Sequence, residues 1–255
     1  ELQVGRLLSA DPSIPAPAVL ASGRLFEEPS GWPWPYLIYK FIPGVSFGEA
    51  HRQVAMEDKL ELARQLGSVV RRIHQLPLVG AELFQPDWSA YLEFLRAQHA
   101  HCAQNHRSWG TLPPRLVDQI DRFLLPVGDL LDLGCSPHLI HADITGDHLL
   151  GRLEGGRWIT HGLIDFGDAM VGDLFYELVA LHLDLFRCDK GLLGAFLDSY
   201  HPEPAFVRDF ARRAMTVTLL HRFDVSVCLR SWIEEIATLE ELAVLLWELN
   251  APGIA

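Results

Sequence analysis

Apolar positions along the chain change period several times, and the changes outline its elements. Leu2, Val4, Leu7 and Leu8 form an imperfect helical face over 1–8, ended by Asp11-Pro12. Because the chain opens directly on this pattern, the natural protein is expected to begin upstream of residue 1. Residues 19–25 read as a strand, and 27–35 as a turn region rich in Pro, Gly and Trp. The run YLIYKFIPG at 36–44 is the clearest strand, aromatic and β-branched and stopped by Pro43-Gly44. Leu60, Leu62, Ala63, Leu66, Val69, Val70 and Ile73 then recur at spacings of three and four, predicting a helix over 57–75. Further helices are predicted over 88–101 and 114–125, the latter opened by Pro113-Pro114.

Between 137 and 169 the period shortens again. Short apolar runs flank polar clusters in HLIHADITGDHLL and ITHGLIDFGDAM, with Gly155-Gly156 between them, which predicts a β-hairpin with polar loops before and after it. Beyond Asp173 the patterns over 174–185, 191–200, 204–225 and 233–249 are helical. The fold class is therefore α+β, a fragment of sheet followed by a mainly helical body, with a boundary near 43–47.

Composition narrows the function. The 255 residues suffice for one large domain or two small ones with a core that needs no staple. Thirty-three acids against 21 bases give a net charge of −12, which disfavours a general nucleic-acid binder and suits a cationic small molecule or a nucleotide carried with magnesium. No run of 18 apolar residues predicts a membrane span, and no secretory leader is visible, so a cytoplasmic setting is expected. Cys102, Cys135, Cys188 and Cys228 lie far apart with no CxxC spacing, as in free thiols of a reducing compartment.

The chemistry concentrates in His141-Ala142-Asp143-Ile144-Thr145-Gly146-Asp147-His148 and Asp165-Phe166-Gly167-Asp168. A hairpin joining these clusters brings their carboxylates to one place, which is costly without a cation or proton among them. Asp143 and His148 stand five apart, as do the ends of DxxxxN in a kinase catalytic loop, and a literal DFG follows 22 positions after Asp143, at Asp165. In phosphoryl transfer one carboxylate orients the attacking hydroxyl and takes its proton, and a second holds magnesium against the triphosphate.

With HADITGDH at 141–148 and IDFGDAMVGD at 164–173, the chain resembles the aminoglycoside phosphotransferase/choline kinase-like family, the small-molecule branch of the protein-kinase-like fold. The family pattern is HGDxxxxN followed by IDxxxxxxGD. The resemblance implies a partial N-lobe sheet and interlobe linker over 1–45, and a helical C-lobe carrying a catalytic β-hairpin over 46–255. It makes Asp143 the catalytic aspartate, Asp165 the metal aspartate, and Asp173 the structural aspartate that braces the loop. His141 becomes a structural residue bonded to backbone near the metal loop. The backbone around Tyr39, Lys40 and Phe41 would meet adenine, and Glu1 would be the glutamate that pairs with the ATP lysine. The implied activity is ATP-dependent phosphorylation of a hydroxyl on a small molecule, such as a cationic amino sugar or amino alcohol. The implied cofactors are ATP and Mg2+, with Mn2+ able to stand in, and neither nucleic acid nor membrane is a partner.

Two departures stand out. His148 occupies the asparagine position; imidazole can ligate a metal, and Asp147 beside it offers oxygen. The family's Gly-rich loop and ATP lysine precede the segment matching Glu1, and by position none of Lys40, Lys59 and Lys190 replaces that lysine, which implies an upstream domain or N-lobe in the same protein. The alternative is a catalytically inactive kinase-like scaffold or a nucleotide-binding domain of a larger protein. A third reading, a binuclear metal hydrolase, joins His138 and His161 to His141, His148 and the aspartates of the same loops. His99, His101 and His106 are expected to face solvent. Asp184, Asp189, Asp224, Trp232, Glu234, Glu235 and Arg187 are candidates for acceptor selection.

Overall fold

The computed structural model describes residues 1–25, 34–78 and 84–249. Most of the turn region expected at 27–35 lies outside the described residues. Helix α1 (Leu2–Leu8) buries Val4 and Leu8 and is followed by an antiparallel pair, β1 (Val19–Arg24) and β2 (Pro35–Tyr39). The strand read over 36–44 stops at Tyr39; the Lys40 N–H still donates to the Ala18 carbonyl, and the chain then leaves the sheet toward Pro43-Gly44.

The body begins with β3 (Val45–Ser46) and a single helical turn, α2 (Phe47–Ala50). Helix α3 (Met56–His74) follows the predicted span within one residue at each end. Helix α4 (Ser89–Trp109) runs two turns past His101 before Gly110 ends it in a left-handed conformation. That extension corrects the reading of His106, which is buried with its Nε2 3.0 Å from the Leu219 carbonyl, because this end of α4 packs on the chain near Leu219. His101 is exposed as expected.

The region 114–125 breaks into two short helices, α5 (Pro114–Val117) and α6 (Ile120–Phe123), followed by α7 (Val127–Leu130). The buried Gln119 between the first two explains the break. Its amide donates to the Arg115 and Ala237 carbonyls and accepts from the Leu239 N–H, so the side chain does backbone work across the fold.

Strand β4 (His138–Ile140) leads to the hairpin of β5 (Leu149–Glu154) and β6 (Arg157–Leu163), with β3 pairing on the free side of β5. Gly155 and Gly156 both have positive φ, 57° and 86°, as a two-residue hairpin turn requires. Strand β7 (Met170–Gly172) pairs antiparallel to β4, with Ile140 opposite Met170.

Helix α8 (Leu174–Ala180) runs into a π-helical turn (Leu181–Leu185). The remaining helices are α9 (Lys190–Tyr200), α10 (Phe210–Leu219), α11 (Arg230–Ile233) and α12 (Leu239–Trp247). Trp247, Tyr176, Phe175 and Phe196 are among the largest fully buried side chains, so the core lies among these helices. Each such burial contributes on the order of 2 kcal/mol. No helix among the described residues is long and apolar enough to cross a membrane.

Helices α3 and α9 meet where α3 carries Gly67. A Cβ there would strike the Phe196 carbonyl and sit 3.0 Å from Ser199 Cβ. Gly67→Ala is therefore expected to destabilise the fold by roughly 1–3 kcal/mol. Thermal unfolding of the two proteins checks this; an unchanged midpoint would show that the helices separate freely at this contact.

Candidate active site

The β5–β6 hairpin and the β4–β7 pair return the chain so that the 141–148 loop and the 165–168 turn lie side by side. His141 ties them. Its Nε2 lies 2.9 Å from the Ile164 carbonyl and so carries the proton, while Nδ1 accepts from the Asp143 N–H at 3.3 Å. The ring is fully buried, which depresses its pKa to about 4 and keeps it neutral. Ala142 and Asp165 both take left-handed backbone, φ 67° and 64°, a conformation that costs a non-glycine residue on the order of 1 kcal/mol. The Ala142 N–H is held at 2.8 Å by the buried carboxylate of Glu177 on α8.

Three side chains converge here. His148 Nδ1 lies 2.7 Å from the Asp143 backbone carbonyl, to which it must donate, and 3.5 Å from Asp143 Oδ2. On the far side of the ring, Nε2 faces Asp165 Oδ2 at 3.5 Å. Burial chiefly pushes the Asp143 carboxyl above its ordinary range; His148 pulls it down, and the charges of Asp168, Asp165 and Asp184 add to the rise. Asp168 is itself paired with Arg222 at 2.9 Å. Asp173 caps α8 through the Tyr176 N–H and accepts from Tyr91 Oη at 2.7 Å.

Two cavities lie along these loops, one lined by Asp165 and the other by Gly146 and Asp147. One, of about 460 Å3, is lined by Glu1, Tyr39, Lys40 and Phe41 together with Asp165 and Phe166. Tyr39 Oη donates to Glu1 Oε2 at 3.3 Å, and burial followed by the Glu1 charge pushes the phenol up to about 12. Phe41 is 82% exposed. The Lys40 N–H is spent on Ala18, so that group is not free to meet a ligand.

The other cavity, of about 580 Å3, is lined by Gly48, Asp147, Asp184, Arg187 and Trp232 among others. Asp147 belongs here and not with Asp165: its Oδ1 accepts from Ser46 Oγ at 3.2 Å and crowds Gly48. Its carboxylate, expected as a metal ligand, is thus placed along the second cavity, whose lining does not include Asp165. Of the acceptor candidates, Asp184, Arg187 and Trp232 line this cavity, whereas Asp189 caps α9 and Asp224 accepts from Thr111 and Ser226. Glu234 and Glu235 are exposed and line neither cavity.

Two of the four histidines of the hydrolase reading turn to backbone carbonyls away from the aspartates. His138 stacks on His74 and meets the His74 carbonyl, and His161 meets the Pro43 carbonyl. Among the described residues no group of three or more His, Cys, Asp or Glu side chains is placed to hold a metal ion.

The family model for the phosphotransferase enzyme family, APH, matches residues 1–213. The chain belongs to this family. Among curated proteins it is similar to the lysine-specific demethylase JMJ21 of Arabidopsis thaliana, 26% identical over 212 residues, 69% of this chain and 22% of that protein. The chain thus spans 22% of the length of the curated relative it matches. Among solved structures it resembles a GDP and kanamycin complex of an APH(2'') enzyme (22% identity, TM-score 0.64, 95% of this chain and 79% of that one). It also resembles the GDP complex of aminoglycoside 2'-phosphotransferase-IIIa (20% identity, TM-score 0.63, 94% and 78%). A streptomycin–ATP ternary complex of APH(2'')-IIa is a further likeness (17% identity, TM-score 0.54, 96% and 81%). These likenesses establish the protein-kinase-like fold.

Within this phosphotransferase fold, Glu177 is the residue that sequence reasoning missed. One oxygen holds Ala142, the other has no hydrogen-bond partner among the described residues, and burial raises the carboxyl from 4.5 to about 7. The folded form therefore keeps its proton between those values while the unfolded chain loses it, so this group's contribution to stability declines as pH rises through that window. Glu177→Gln is expected to flatten that decline. Unfolding midpoints of both proteins measured from pH 4.5 to 7.5 check it; parallel curves would show that Glu177 titrates alike folded and unfolded.

Proposed function

We propose that the chain is an ATP-dependent phosphotransferase that acts on a hydroxyl group of a small molecule. The observation that carries this reading is the convergence of Asp143, His148 and Asp165, the last of which lines the cavity of Glu1 and Tyr39. We further propose that residues 1–45 are a remnant of the N-lobe with the interlobe linker and 46–255 the helical C-lobe. On this reading the cavity of Glu1, Tyr39, Lys40 and Phe41 takes the nucleotide, and the cavity of Asp147 and Asp184 takes the acceptor. The solved relatives carry GDP or ATP with kanamycin or streptomycin in corresponding folds, which supports a nucleotide and a cationic acceptor here.

Asp143 accepts the proton of the acceptor hydroxyl in this scheme. His141 holds its backbone, and Glu177 holds the turn before it. Asp165 and His148 are the residues that would hold magnesium. The donor set fits: with Nδ1 donating to the Asp143 carbonyl, Nε2 is the ring nitrogen left facing Asp165 Oδ2, and two donor atoms 3.5 Å apart suit one cation. Magnesium is commonly held by one or two carboxylates and substrate phosphates, so a large protein cage is unnecessary. The nitrogen donor makes manganese an effective replacement. The chemistry such an ion supplies is neutralisation of charge on the transferred phosphoryl group.

A second reading is an inactive or nucleotide-binding kinase-like domain within a larger protein. It is favoured by His148 and by the fact that the chain spans 22% of its curated relative. Acceptor-dependent ATP consumption separates the two. With amino-sugar and amino-alcohol acceptors, the phosphotransferase reading expects turnover that drops on the order of 10²–10⁴-fold in Asp143→Asn. Full turnover in that variant would remove Asp143 from its role. Turnover gained only on His148→Asn would favour the inactive domain.

A further inference from the structure

Asp168 ends the turn that carries Asp165, and it lines neither cavity. Its Oδ1 accepts from Arg222 Nη1 at 2.9 Å, across 54 residues of sequence. Arg222 Nη2 meets Met170 Sδ at 3.4 Å, so one guanidinium grips the chain on both sides of Ala169. The same group lies over the rings of Phe94 and Phe223, 5.5 and 5.8 Å from their centroids. The paired side chains are only 31% and 34% exposed. A planar fork set between two rings and two acceptors is held in place, unlike a solvated surface charge.

The backbone of Arg222 shows what the grip is attached to. Its N–H donates to Tyr176 Oη at 3.2 Å. Tyr176 is fully buried on α8, and the buried ring of His221 stacks on it at 4.7 Å. The next residue of that helix, Glu177, accepts the Ala142 N–H. Helix α8 therefore reaches both loops from adjacent residues. Through Glu177 it holds the turn before Asp143, and through Tyr176 and Arg222 it holds the turn after Asp165.

The Asp165 turn is thus fixed at both ends, at Ile164 by His141 and at Asp168 by Arg222. Between these points Asp165 keeps a left-handed conformation, φ 64°, which persists only where its surroundings over-determine it. The brace inside the turn, from the Gly167 N–H to Asp165 Oδ1, is long at 3.4 Å. We propose that Arg222 is a positioning residue of this site: by gripping Asp168 and Met170 it carries the register of α8 to the Asp165 turn. Its consequence for turnover rests on the phosphotransferase reading; the grip itself does not.

Hydrogen exchange of the whole chain reads the grip, and phosphate transfer from ATP to amino-sugar and amino-alcohol acceptors reads the consequence. In Arg222→Gln, amides over 164–170 are expected to exchange about tenfold faster while those of α9 keep their rates. The kcat is expected to fall about tenfold with acceptor KM nearly unchanged, because Arg222 does not line the acceptor-side cavity. Adding Asp168→Asn to that variant is expected to cause no further loss, since the two side chains act as one unit. Unchanged exchange over 164–170, acceleration spread evenly through the chain, or a native kcat in Arg222→Gln overturns the proposal. So does a double variant whose loss is the product of the two single losses. Local acceleration in a chain that transfers no phosphate upholds the grip and sinks the phosphotransferase reading. Phosphate transfer by the native chain, with exchange unchanged in Arg222→Gln, does the reverse.

Discussion

A buried hydrogen bond from His141 Nε2 to the Ile164 carbonyl holds together two loops whose carboxylates repel each other. Burial first, and then the charges of Asp168, Asp165 and Asp184, push the Asp143 carboxyl above its ordinary range, while His148 opposes them. Strand pairing alone brings the loops near. The neutral imidazole fixes their separation, because one nitrogen is committed to Ile164 and the other to the Asp143 N–H. The left-handed turn at Ala142 depends on the same anchorage, backed by Glu177. From that frame His148 is placed between the two aspartates.

Much of this was legible in the chain. Gly155-Gly156 between short apolar runs announced the hairpin, and the five-residue spacing of Asp143 and His148 announced the loop. The four nucleotide-side candidates, Glu1, Tyr39, Lys40 and Phe41, line one cavity although 38 residues of sequence separate Glu1 from Tyr39. Local signals sufficed because each motif is short and carries its own turn chemistry.

What stayed illegible depends on partners remote in sequence. Asp147 was expected beside Asp165 by position, and its contact with Ser46, 101 residues earlier, places it along the other cavity. Glu177 reads as an ordinary acid near the start of a helix; only the folded chain shows it buried against Ala142, 35 residues away. His106 looked exposed because its contact with Leu219 lies 113 residues downstream. The end of α4 was missed for a related reason: tertiary packing, more than the local pattern, sustains its last two turns.

The central claim is that Asp165 and its neighbours form a working nucleotide–metal site. Calorimetric titration of ATP into the chain, with and without Mg2+, and again with Asp165→Ala, tests it most directly. The account predicts saturable binding that requires Mg2+ and is lost in the variant. Binding of equal strength in all three titrations would contradict it.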